Sequence, residues 1–186
     1  MGPISEALGN SEGQKQLNES LQTYQEIERS SDRVCAIVAA AWLETRLRHA
    51  IDWRLLHDLS EKKKVFDPNG MLGTYERKVS LGYLLGIFRR EAKDNFLAIG
   101  SIRNRFAHRT YIRCFEHREL DSFFKKITFY KRLKEADTKL QLVLPAPIPE
   151  NAGCRARFIA SAMALDAFLV LDPFDHSPIT SYEPRF

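Results

Sequence analysis

The sequence predicts an all-α protein, a single bundle of five to six helices. Three observations predict it. Apolar residues recur at three- and four-residue spacing through most of the chain. Strands do not alternate with helices, and no internal repeat is present. Ser, Thr, Gly and Pro punctuate the pattern where helices start and stop. A chain of 186 residues suits one well-packed domain and is short for two.

Residues 1–13 are small, polar and Gly-containing, and read as a flexible N-terminus. The domain then runs over residues 14–171. Leu17, Leu21, Tyr24 and Ile27 mark the apolar face of a first helix. Ser30 and Ser31 are N-cap candidates for a second. That helix carries Val34, Ile37, Val38, Ala41, Trp42 and Thr45, with alanines that permit close approach, and is expected to continue through Leu55 towards Leu59. Lys62-Lys63-Lys64 and Asp67-Pro68-Asn69-Gly70 read as an exposed turn. Thr74 caps a third helix with Tyr75, Val79, Tyr83 and Leu84. A fourth carries Ala92, Phe96, Ile99, Ile102 and Phe106, and a fifth Leu120, Phe123, Phe124, Ile127 and Tyr130. Residues 140–149, ending in Pro145-Ala146-Pro147-Ile148-Pro149, read as extended. A last helix carries Phe158, Ile159, Ala162, Leu165 and Leu169. Residues 172–186, with Pro173, Pro178 and Pro184, form an irregular tail.

Composition narrows function by exclusion. No apolar run is long enough to span a bilayer, and Met1 to Asn10 lacks the pattern of a signal peptide. Cys35, Cys114 and Cys154 are far apart and odd in number, as in reduced thiols, so a cytoplasmic location is expected. No Gly-rich phosphate loop implies a nucleotide cofactor. His49, His57, Asp52 and Asp58 lack compact ligand spacing, and Cys114 with His117 is a lone C-x-x-H, so neither a metal nor any other cofactor is expected. No helix-turn-helix with a basic recognition helix is visible, which leaves sequence-specific DNA binding unsupported.

Chemistry concentrates in Arg103-Asn104-Arg105-Phe106-Ala107-His108, followed by Arg109, Tyr111 and Arg113. Seven basic residues (Arg89, Arg90, Lys93, Arg103, Arg105, Arg109 and Arg113) stand against Glu91 and Asp94 in this segment. That is either a solvated helix face or a phosphate-attracting patch. At ~100° per residue, Asn104 and His108 share a helix face while Phe106 points to the core. Cleaving RNA without a metal needs a base for the 2′-OH, donors for the phosphorane charge and an acid for the 5′-oxygen. Histidine suits the proton steps and arginine the charge. One motif holds one imidazole; a homodimer with motifs on its two-fold axis holds two. A structural reading stands beside this one, in which His108 serves the helix dipole and caps carbonyls. Glu44 and Arg46 read as an internal ion pair that also orients Arg103, or as a surface coincidence.

The hexapeptide resembles the R-x4-6-H signature of the HEPN superfamily of helical, usually dimeric, RNA-processing and toxin domains. The helix from Ser31-Asp32-Arg33 through Ala39-Ala40-Ala41-Trp42-Leu43-Glu44-Thr45-Arg46-Leu47 resembles the mannitol operon repressor (MltR)-like branch. So does Asn69-Gly70-Met71-Leu72 with Lys78-Val79-Ser80-Leu81-Gly82-Tyr83-Leu84-Leu85-Gly86-Ile87-Phe88. The resemblance implies a HEPN-like/MltR-like bundle, a dimer with facing motifs, and Arg103, Asn104 and His108 as catalytic residues; Glu44, Arg105, Arg109 and Tyr111 are read as auxiliary ones from their places around the motif. Some nuclease members carry a tyrosine two residues after the histidine; here that position is Thr110 and the tyrosine is Tyr111. Two functions follow. One is a metal-independent endoribonuclease of toxin, defence or RNA-processing type, with RNA and a protein antitoxin as partners. The other is a non-catalytic MltR-like regulator that binds protein or nucleic acid through the same surface.

Overall fold

A computed structural model describes residues 11–134, 148–149 and 151–175. Among them are seven α-helices and no strand: α1 (Ser11–Arg29), α2 (Asp32–Arg54), α3 (Leu59–Phe66), α4 (Tyr75–Leu84), α5 (Arg90–His108), α6 (Asp121–Phe124) and α7 (Cys154–Asp175). Two 3₁₀ segments, Arg118–Leu120 and Phe129–Lys134, flank α6. The all-α expectation holds, with one or two more helices than the periodicity gave.

The central helix is α2, which packs against α7, α5, α4 and α1. Its small residues Ala36, Ala39 and Ala40 are buried, so these neighbours approach its backbone closely. Ser31 caps it, its Oγ accepting the Val34 N–H at 3.4 Å. On α1 the buried face runs through Ser20, Tyr24 and Ile27, while Leu21, expected inside, is half exposed. Ser20 takes the inner position because its hydroxyl is satisfied there by Arg46 and the Gln16 carbonyl.

Four sequence expectations are corrected. The long second helix stops at Arg54, where Leu55 turns extended, and α3 starts separately with Asp58 as its cap. The Asp58 carboxylate accepts the N–H groups of Ser60 and Glu61 at 3.0 Å each. Lys62 to Lys64 therefore lie on a helix, not in a turn. The expected fifth helix is broken into α6 and the 3₁₀ segments. The backbone N–H groups of Thr128 and Phe129 go to the Asn95 amide oxygen, and that of Tyr130 goes to the Ser161 hydroxyl. Side chains of α5 and α7 thus replace the carbonyls a continuous helix would use. Finally, α7 keeps helical backbone through Pro173 to Asp175, beyond the expected end at residue 171. Residues 140–147 and the remainder of the expected tail lie outside the described residues.

Candidate functional site at the end of helix α5

Helix α5 buries Ala92, Phe96, Ile99, Ile102 and Phe106, as its stripe predicts. Phe106 meets Phe115 edge-on with centroids 5.2 Å apart, fixing the rotation of the helix. That rotation turns Asn104 and His108 to solvent and leaves Arg103 half-buried at the α2 side. Among the described residues the side chains of Asn104 and His108 make no hydrogen bond or ion pair.

Arg103 faces Glu44 of α2 across 3.9 Å, an ion pair too long for a hydrogen bond. The other Glu44 oxygen accepts Lys78 Nζ of α4 at 2.7 Å. Glu44 therefore gathers two cations from two helices. It does not pair with Arg46: two positions apart on a helix, the two side chains diverge by ~200°. Arg46 instead binds Asp166 of α7 at 3.1 Å. Tyr75 completes the floor of this cluster. Its hydroxyl donates to the Phe96 carbonyl at 3.1 Å, and burial, reinforced by Glu44, pushes its pKa up. The close approach requires Gly100, because a Cβ there would sit 2.8 Å from the Tyr75 ring.

The end of α5 is capped by a residue the sequence did not single out. The Arg33 guanidinium donates to the carbonyls of Phe106, Arg109, Thr110 and Ile112, the last three at 3.1, 3.1 and 2.8 Å. Its neighbour Asp32 accepts the Phe115 N–H at 2.8 Å and pairs with Arg155. The first turn of α2 thus holds the chain from residue 106 to residue 115. The sequence signal was an Asp-Arg pair directly after a helix cap; nothing local revealed a partner more than seventy residues away. This arrangement bears on the structural reading of His108. Arg33 takes the Phe106 carbonyl of the last turn and three carbonyls of the segment that follows it, while the His108 side chain makes no hydrogen bond to a carbonyl among the described residues.

Beyond the helix, Glu119 gathers two of the auxiliary residues, Arg105 and Tyr111. It accepts the Tyr111 hydroxyl at 2.8 Å and lies 3.5 Å from Arg105. The Tyr111 hydrogen bond and the surrounding cations hold the Glu119 carboxyl below its ordinary range, and the same bond raises the Tyr111 phenol. Arg109 and Arg113 are exposed and make no ion pair among the described residues. The basic segment is therefore not one patch. Arg89, Arg90 and Lys93 sit at the start of α5, roughly 15–20 Å along the helix from Arg103 at 1.5 Å per residue. Only Arg103, Arg105, Arg109 and Arg113 gather near the motif.

Three of the residues weighed as metal ligands have other partners. Asp58 caps α3, Asp52 pairs with Lys62 at 3.2 Å, and His117 Nδ1 accepts the Glu119 N–H. Among the described residues no three His, Cys, Asp or Glu side chains converge, and no helix is long and apolar enough to cross a membrane. No family model, curated protein or solved structure matches the chain.

Proposed function

We propose that the protein is a HEPN-like, metal-independent endoribonuclease whose active site is shared by two copies of the chain. The observation that carries this reading is the state of the motif: Asn104 and His108 stand exposed and without a partner among the described residues, at a helix end whose Phe106 carbonyl and following turn are held by Arg33. A polar group that neither packs nor pairs is available to a ligand. Arg103 supplies a guanidinium for the phosphorane charge, and Glu44 positions it from behind. Asn104 orients the phosphate or His108. One His108 takes the 2′-OH proton, and the second copy's His108 protonates the leaving 5′-oxygen.

The second copy has a surface to sit on. Helix α2 buries one face, yet Val34, Ile37, Ala41 and Thr45 form an exposed stripe on another. A helix apolar on both faces is ordinarily covered on both. Along one side of the stripe stand Arg33, which reaches the end of α5, and Glu44, which reaches Arg103. A copy docked there brings its motif beside this one.

The test is cleavage of total RNA by purified protein in EDTA, with the product ends identified by mass spectrometry. The mechanism yields 2′,3′-cyclic phosphate ends and leaves 2′-O-methyl RNA intact. Cleavage that needs added divalent cation, or that cuts 2′-O-methyl RNA, contradicts it. A protein that cuts no RNA, yet stays a dimer and binds RNA or a protein partner, points to the MltR-like regulatory reading instead.

A further inference from the structure

We infer that Tyr111 is a base-stacking platform beside the motif, and that residues 109–113 receive one nucleotide of a single strand, its base on the Tyr111 ring and its phosphate on Arg109 and Arg113. The inference rests on RNA being the ligand of the proposed site.

The backbone of this loop is tied inward. Arg33 takes the carbonyls of Arg109, Thr110 and Ile112, the Ile112 side chain is fully buried, and Asp32 holds the Phe115 N–H. With the main chain fixed, the side chains of Arg109, Thr110, Tyr111 and Arg113 all stand in solvent. Tyr111 is 53% exposed, although a ring of that size gains by burial. It is not free to swing. Its hydroxyl is held by Glu119 at 2.8 Å, and the His117 ring supports it from one side, centroids 5.8 Å apart and tilted by 52°.

An aromatic ring held by its edge, with a face open to solvent, matches the face of an unpaired base. The adjoining cations match the backbone. Arg105 lies 3.5 Å from Glu119, whereas Arg109 and Arg113 make no ion pair among the described residues and present their guanidinium groups to solvent for phosphate. Residues 105–119 carry Arg105, Arg109, Arg113 and Arg118 against Glu116 and Glu119, so the local field favours an anion. A duplex keeps its bases stacked inside and offers the ring nothing, so the strand is single. The ordered loop also sets the ring in place before binding, which lowers the ordering cost.

The experiment is fluorescence anisotropy with a fluorescein-labelled 2′-O-methyl RNA 12-mer of mixed sequence, which a 2′-OH mechanism cannot cleave. The strand is used alone and annealed to its complement. Wild type is expected to bind the single strand more tightly than the duplex. Tyr111→Ala should weaken single-strand binding by roughly 5- to 150-fold, the worth of one stacked base. Tyr111→Phe, which keeps the ring and drops the Glu119 bond, should stay within a few-fold of wild type. Arg113→Ala should reduce the salt dependence of binding, whereas Tyr111→Ala should leave it unchanged. Equal binding by Tyr111→Ala and wild type, or equal binding of duplex and single strand, overturns the inference. His108→Ala carries the control for the parent reading. If it binds normally and wild type cuts no RNA, the nuclease reading fails while the platform stands. If wild type cuts RNA and Tyr111→Ala binds and cuts like it, only the platform fails.

Discussion

Glu44 and Arg46 lie two residues apart on α2 and feed two opposite kinds of polar network. Arg46 is almost wholly buried against Asp166, with side chains 3% and 2% exposed. Its guanidinium is used throughout: by Asp166 at 3.1 Å, Ser20 at 3.1 Å, the Gln16 carbonyl at 2.5 Å and the face of Trp42 at 4.4 Å. Arg103 and Glu44 are each about 30% exposed and 3.9 Å apart, and Asn104 and His108 of the motif have no partner among the described residues. The first network ties α1, α2 and α7 together and has nothing left to offer a ligand. The second holds its arginine by one loose contact and keeps the rest of the fork for something else. In this chain, what separates a structural arginine from a candidate functional one is how many of its donors the fold consumes.

That contrast is breakable by substitution. Removing Asp166 leaves the buried Arg46 charge with Glu19, at 3.8 Å, as its remaining carboxylate among the described residues, and Asp166→Ala should cost about 3–5 kcal/mol of unfolding free energy. Urea titration at pH 7 measures it. Arg103→Ala, at an exposed and long contact, should cost within about 1 kcal/mol. Equal losses at the two positions would remove the distinction. The buried pair also carries a pH signature. Burial raises the Asp166 carboxyl above its ordinary range, although Arg46 pulls it back. The native state then holds that proton more tightly than the unfolded chain does. Its contribution to stability is greatest in acid and falls as pH rises from the ordinary carboxyl range through the raised value. Asp166→Asn should flatten that slope in urea titrations repeated across this window.

A medium effect is expected at the exposed stripe. Ile37→Glu places a charge where the second copy is proposed to sit, and should yield a folded monomer at micromolar concentration by light scattering. A dimer unchanged by Ile37→Glu would put the interface elsewhere. The smallest effect concerns the thiols. Burial pushes the Cys35 thiol up to about 12, whereas Cys114 is exposed. Maleimide at neutral pH should label Cys114 readily and leave Cys35 intact until the chain unfolds, as peptide mass mapping can show.

Helices with an unbroken apolar stripe were legible in the sequence. Phe96, Ile99, Ile102 and Phe106 placed α5, Phe158 through Leu169 placed α7, and Ser31 and Thr74 were read as caps. Asp58 with Glu61 three residues later carried the signature of the α3 start, but the apolar pattern running past it concealed the break. The fifth helix was not legible, because its backbone is claimed by Asn95 and Ser161, about thirty residues away on either side. At the candidate site, the outward turn of Asn104 and His108 followed from helix geometry. The Arg33 cap, the Lys78 partner of Glu44 and the Glu119 tether did not, since each joins residues from separate elements.

The most direct test of the open network is to measure His108→Ala and wild type side by side, for stability by urea titration and for RNA cleavage in EDTA. The expected result is a cleavage rate lower by about 10²- to 10⁴-fold with an unchanged unfolding midpoint, because in the proposed mechanism His108 transfers protons, and its side chain is exposed without a partner among the described residues. Cleavage that survives the substitution, or a midpoint that falls substantially with it, would contradict the account.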